Sequence, residues 1–250
     1  MITVAIINES TVLSDDDIAG TVGVMDALRT QLTRDFCGLW NIDIPKLVFA
    51  PKGPGGSPPT LGSDTWVLAI LDDSDQADAL GYHDETGNGT PLGKVFAKSC
   101  LNDKESWSVC ISHELLEMLA DPYLNLCAEG SDGRIRALEV CDAVEDDSMG
   151  YEINGVLVSN FVLPSWFSVS GVPGRYDFCK KLTAPFELGA AGYISLIQAG
   201  TWTQSNADER ATRKRPMQRG SRRERRRRQH AERLRSLRSF GMGAGRVTEE

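Results

Sequence analysis

Residues Ile2 to Ile7 form a short, β-branched apolar run, the pattern of a strand buried on both faces. After it, Ile18, Val22, Met25, Leu28, Leu32 and Phe36 recur at spacings of three or four, which predicts one amphipathic helix. Ser14, with Asp17 three residues on, supplies a capping box for its start. Further strands are expected at Lys46 to Ala50 and Thr65 to Leu71. Between them, Pro51 to Pro59 is so rich in proline and glycine that it reads as a loop. The third strand runs into an acidic cluster, Asp72, Asp73, Asp75 and Asp78, which lacks the alternating ligands of a calcium loop and is read as a solvated loop or helix cap.

From Ala79 to Cys100 four glycines surround a short strand signal at Lys94 to Ala97, predicting an irregular edge strand beside a functional loop, with His83 as an edge-loop residue or, alternatively, one that lines the cleft. A largely buried helix follows, capped by Asn102 or Asp103 and carrying Trp107, Val109, Ile111, Leu115, Leu116, Met118 and Leu119. Pro122 should end it near Asp121. Beyond it, Ala137 to Val144 reads as a strand or extended loop, and Tyr151 to Val162 as a hairpin turning at Asn154-Gly155. Ser165 to Trp202 reads as irregular, with a short strand around Tyr193 to Ile197. No internal repeat is visible. The expected organisation is a domain over residues 1–202, a basic linker over 203–220, and a C-terminal arm over 221–250, whose Ser221 and Glu224 open a possible helix to about Phe240.

The charge is divided along the chain. Residues 1–205 hold 12 Lys and Arg against 29 Asp and Glu, a balance of minus 17, while residues 206–250 hold 15 against 6, a balance of plus 9. An acidic body of this kind does not coat nucleic acid, whereas the basic end suits a polyanion or an acidic protein surface. No stretch reaches the roughly 18 apolar residues of a membrane span, and Met1 to Glu9 lacks the features of a secretory signal, so synthesis in a cytoplasm is expected. The six cysteines show no C-x-x-C spacing and are read as free thiols, with pairing of a few left open.

The chemistry concentrates in Ser112-His113-Glu114-Leu115-Leu116-Glu117-Met118-Leu119-Ala120-Asp121-Pro122. Helical spacing stacks His113, Glu117 and Asp121 on one stripe, with Glu114 beside His113. Carboxylates inside an apolar helix are costly unless paired or metal-bound. A His-Glu pair satisfied locally would explain two of these residues; a divalent ion explains the whole stripe. Cys141 reads as a small buried residue rather than a nucleophile.

Strand, helix, two strands, a glycine-rich edge strand and then a helix opening His-Glu-x-x resembles the zincin metallopeptidases. The implied fold is α/β (α+β zincin-like), a mixed sheet with an N-terminal amphipathic helix and a buried active-site-type helix, to which the basic C-terminal helical arm is added. The resemblance implies zinc, with His113 as first ligand and Glu114 as the base that takes a proton from water. Glu117 stands where zincins carry a second histidine, and carboxylate oxygen also admits calcium or manganese. Third-ligand candidates are Glu139, Asp142 and Asp121, with Glu139 preferred and Asp142 able instead to orient His113. With Glu139-Val140-Cys141-Asp142 and Val158-Ser159-Asn160-Phe161, the signature also resembles proteins of tailed bacteriophages and prophages. That implies a virion-associated protein made in the host cytoplasm, with other virion proteins or copies of itself as partners. It is either a metallopeptidase or a non-enzymatic structural component with a degenerate zincin-like core.

Arg213, Lys214, Arg215, Arg219, Arg222, Arg223, Arg225, Arg226, Arg227 and Arg228 concentrate more charge than a solvated helix face needs. Pairs such as Glu224 with Arg228 offset little of the repulsion. The absence of interleaved aromatics favours contact with the DNA backbone over base stacking. Docking on acidic protein through Leu234, Leu237 and Phe240 is the alternative.

Overall fold

The computed structural model describes residues 1–76, 79–130, 132–168 and 175–208. Five strands make the central sheet: β1 (Thr3–Asn8), β2 (Lys46–Phe49), β3 (Trp66–Leu71), β4 (Gly81–Glu85) and β5 (Pro91–Phe96). Their order is β2-β1-β3-β5-β4. The first four are mutually parallel, whereas β4 runs antiparallel to β5 along one edge. The apolar runs expected of parallel strands are present, and Val4, Ala5, Ile6, Leu68, Ile70 and Val95 are inaccessible to solvent. The architecture is therefore mixed α/β with a mixed sheet.

The connection from β1 to β2 is helical but bent. Ser14 caps α1 (Asp15–Ala19) with the expected capping box. α2 (Val24–Thr30), a π-helical turn (Gln31–Phe36) and α3 (Cys37–Trp40) then follow in place of one continuous helix. The break lies at Gly20–Gly23, where the backbone of Gly23 packs so close to Ile18 that a Cβ would sit 2.5 Å from its carbonyl oxygen. Val22 consequently leaves the predicted apolar stripe and is 85% exposed. The widened π turn has its own cause. It brings buried Gln31 and Asp35 toward Tyr151 and Ser159: Gln31 Nε2 donates to Ser159 O at 2.9 Å, and Tyr151 Oη donates to Asp35 Oδ2 at 3.0 Å.

The segment expected to be an irregular edge forms two full strands, β4 and β5, paired from Gly81↔Val95 to Glu85↔Pro91. Ala97 then opens α4 (Ala97–Asn102), so Asn102 and Asp103 close that helix instead of capping the next. The N-cap of α5 (Trp107–Ala120) is Ser106, and the helix stops at Asp121 as Pro122 requires. Helix α5 packs against β3, β4, β5 and α4. One hydrophobic cluster joins Ile111, Leu115, Leu116 and Met118 of α5 to Leu68, Ile70 and Val95 of the sheet and to Met25, Leu28 and Phe36 of the first helices.

A second layer lies C-terminal to α5. Strands β6 (Cys127–Glu129) and β7 (Ile135–Ala137), with β8 (Tyr151–Ile153), β9 (Val156–Val158), β10 (Tyr193–Gln198) and β11 (Thr201–Asn206), make a four-stranded sheet of order β11-β10-β7-β6 and the β8–β9 hairpin. That hairpin turns at Asn154-Gly155, both at positive φ as a type I′ turn demands. Ala137 to Val144 is not one strand: β7 ends at Ala137 and a 3-10 turn occupies Asp142–Val144. The second core cluster, around Trp166, Phe167, Ile194 and Leu196, meets the first at Trp40 and Leu138. Residues 138–142 therefore run along the junction of the two cores, directly beside α5. Strand β11 pairs with β10 through Asn206, so the expected linker start at 203 falls inside a strand. Among the described residues no helix is long and apolar enough to cross a membrane. The arm at 221–250, the basic run from Arg213 to Arg228, and Asp78 lie outside the described residues.

Candidate metal centre

Helix α5 buries nearly every side chain from Val109 to Ala120, including His113, Glu114 and Glu117. A helix apolar all round belongs in a core, and these three polar residues are what distinguish it from a packing element. Its position is fixed from both sides. Ser112 Oγ accepts from Ser159 N at 2.7 Å, and Glu117 Oε1 accepts from Cys141 N at 3.1 Å. The second bond ties the helix to residues 138–142 and turns the other oxygen of Glu117 inward.

Two groups of metal-ligating atoms converge there. In one, His113 Nε2 lies 3.2 Å from Glu117 Oε2 and 3.3 Å from Asp142 Oδ1. In the other, His83 Nδ1 lies 3.7 Å from Glu114 Oε2 and 3.6 Å from the same Glu117 Oε2. Within each group the ligand atoms all fall within 4.8 Å of one another. Exposure is 0% for His83 and Glu114, 1% for Glu117, 2% for His113 and 4% for Asp142, a degree of burial that charged groups reach only when they are paired or metal-bound.

Of the residues read from the sequence, His113, Glu114, Glu117 and Asp142 are thus brought together. Glu139 enters differently, with Oε2 at 3.8 Å from His83 Nε2, on the far side of that ring from Glu114 and Glu117. Asp121 belongs to neither group. Its carboxylate accepts from the backbone N–H of Asn125 and Leu126 and closes the turn after α5. His83, read from the sequence as an edge-loop residue with the cleft as the alternative, lies in the centre. It belongs to β4, not a loop, and strand alternation sets it on the face of Gly81, which packs against Glu114. Gly81 is required by that contact: a Cβ would sit 2.8 Å from Glu114 Oε1 and 3.1 Å from the backbone oxygen of Lys94.

Other groups singled out in the sequence have structural roles. Asp72 accepts from Ser10 Oγ at 2.6 Å and Thr11 N at 2.9 Å, Asp73 pairs with Lys98, and Asp75 with Lys94 and Tyr82. Asn160 donates to buried Asp177 at 2.7 Å and accepts from Phe161 N and Cys179 N, latching the chain after β9. Cys37, Cys100, Cys141 and Cys179 are free thiols, and the Sγ atoms of Cys100 and Cys110 lie 3.2 Å apart. Burial, reinforced by Glu117, pushes the Cys141 thiol well above its ordinary value, so it keeps its proton.

No protein-family model, curated protein or solved structure matches the chain.

The electrostatics of the centre give a pH dependence. Burial opposes charge on His113, but Glu117, Asp142 and Glu114 outweigh it and hold the imidazole well above its ordinary 6.5. Burial, with Asp142 and Glu139 nearby, pushes Glu117 up to about 7 from 4.5, against the pull of His113. Both shifts are upward, so these two groups hold more protons in the folded than in the unfolded chain from about 4.5 to beyond 7, and their contribution to stability falls as pH rises through that window. Asp72, held near 2 by its hydrogen bonds to Ser10 and Thr11, titrates outside it. In chelator, urea denaturation should show the protein less stable at pH 8.5 than at pH 5.5, by on the order of 1–3 kcal/mol. Glu117→Gln should flatten that slope. Stability that rises over this interval would contradict the assignment.

Proposed function

We propose that the chain is a zincin-like metalloprotein, phage-encoded and virion-associated, that hydrolyses peptide bonds with a divalent ion, zinc being the ion expected. Its main support is the convergence of His113 Nε2, Glu117 Oε2 and Asp142 Oδ1: two ligands one turn apart on a buried helix and a third from the segment beyond it. The donor set fits such an ion, since one imidazole and two carboxylates suit zinc or manganese. Further support comes from the order of elements, in which α5 follows β5 and lies beside the antiparallel edge strand β4.

An ion held there supplies a Lewis acid that polarises a substrate carbonyl. The protein's own residues do the remainder. His113, Glu117 and Asp142 hold the ion. The Cys141 N–H fixes Glu117, and Glu114, next to His113 on the helix, takes and returns a proton at its carboxylate. The burial of the whole set favours a second reading, a non-catalytic virion component in which the ion cements the core and the basic arm mediates assembly. On either reading the basic end of the chain, plus 9 over residues 206–250 against minus 17 over residues 1–205, contacts DNA or an acidic protein surface.

With protein loaded with one equivalent of zinc and a fluorogenic peptide library, Glu114→Gln should lower hydrolysis about 10²–10⁴-fold. The ion held by His113 should stay bound. Equal activity in that variant would reject the role of Glu114, and stoichiometric zinc without hydrolysis by the unmodified protein would establish the structural reading. For the arm, anisotropy with a random-sequence duplex should show binding that weakens steeply with salt and disappears when residues 213–250 are removed. Undetectable duplex binding at low salt, with particle incorporation or oligomers lost on truncation, would assign the arm to protein contact.

A further inference from the structure

The two ligand groups in the core are not independent. Each contains Glu117, and in each the contact is made by the same atom, Oε2, 3.2 Å from His113 Nε2 and 3.6 Å from His83 Nδ1. We propose that the centre holds two divalent ions bridged by Glu117, one on His113, Glu117 and Asp142 and the other on His83, Glu114 and Glu117. This rests on the first ion proposed above and adds a second site from a different element, the edge strand β4.

Three observations carry it. First, a carboxylate oxygen between two imidazole nitrogens, each with a further carboxylate beside it, supplies each ion with one nitrogen and two carboxylate ligands, the pattern of paired-metal centres with a shared ligand. Second, the second site is built with the same care as the first. His83 is inaccessible to solvent, its Nδ1 lies 3.7 Å from Glu114 Oε2 and 3.6 Å from Glu117 Oε2, and Glu139 Oε2 lies 3.8 Å from its Nε2. Gly81, two residues before His83, leaves room for Glu114 where any other residue would displace it. Third, the charges match. Counted as ligands, with both imidazoles neutral as ligation requires, the set Glu114, Glu117, Glu139 and Asp142 would carry four negative charges. One divalent ion neutralises half of that and two neutralise all of it, which favours two in a buried site. Glu114 then serves the second ion as a ligand, and its loss removes that ion in addition to any proton-transfer role.

The test is stoichiometry. Metal-free protein is titrated with manganese(II), desalted and assayed by mass spectrometry, with electron paramagnetic resonance on the same samples. The unmodified protein should bind two ions per chain and give the spectrum of an exchange-coupled pair. His83→Asn should bind one and give the six-line signal of an isolated ion, and Glu114→Gln should likewise drop from two to one. A single uncoupled ion in the unmodified protein, unchanged by His83→Asn, would overturn the second site and leave the first intact. No bound ion in the unmodified protein would remove both. Because stoichiometry and coupling are read first on the unmodified chain, the outcome stands even where a variant fails to fold.

Discussion

Burying four carboxylates and two imidazoles against one another is the constraint to which the rest of the structure answers. Glu114, Glu117, Glu139 and Asp142 meet His83 and His113 where water is nearly excluded; Glu117, Asp142 and Glu114 raise the proton affinity of His113, and Asp142 and Glu139 that of Glu117. Without compensation the arrangement opposes folding, because ionised groups in a low-dielectric interior forfeit their hydration. Protons compensate at low pH, and on the proposed metal-bound reading divalent cations do so at higher pH. The two compete for the same oxygen and nitrogen atoms, so metal affinity must rise as protons leave. On that reading the site couples the stability of the core to its ligand.

The architecture serves that coupling at several points. Helix α5 is clamped between the sheet and the chain around Ser159, so His113, Glu114 and Glu117 project from a rigid element. The Cys141 N–H holds one oxygen of Glu117 and leaves the other to the centre. Asp142 and Glu139 arrive on the segment at the junction of the two cores, where Leu138 anchors the backbone in both. The Asn160–Asp177 latch fixes the return of the chain after β9, and Val162 N donates to Val140 O to hold the same segment from its other side. Each device lies outside the ligand sets and limits how far a ligand can turn away.

Local signals were legible in the sequence and non-local ones were not. The parallel strands, the Ser14 capping box, the Asn154-Gly155 turn and the stop at Pro122 are each written within a few residues. So is the one-turn spacing of His113 and Glu117. The cleft was only the second reading for His83 because its place comes from pairing with Gly93 across the β4–β5 hairpin, in a strand whose glycine and acidic residues carry little strand propensity. Glu139 and Asp142 were hard to rank because the chain around them is irregular, with no period to say which side chain faces the helix. The break at Gly20–Gly23 was hidden by an apolar spacing that continues through it, although Val22 faces solvent. The second sheet was half seen, since β11, rich in Thr, Gln, Ser and Asn, lacks the apolar alternation that reveals a strand.

The account stands on a divalent ion among His113 Nε2, Glu117 Oε2 and Asp142 Oδ1, and anomalous diffraction at the zinc edge from crystals grown with zinc tests it most directly. A peak within coordination distance of all three atoms, about 2.0–2.2 Å, with the Glu117–Cys141 hydrogen bond retained, is the predicted result. A map without anomalous density at that position, with the three side chains turned apart or bonded only to protein, would contradict it.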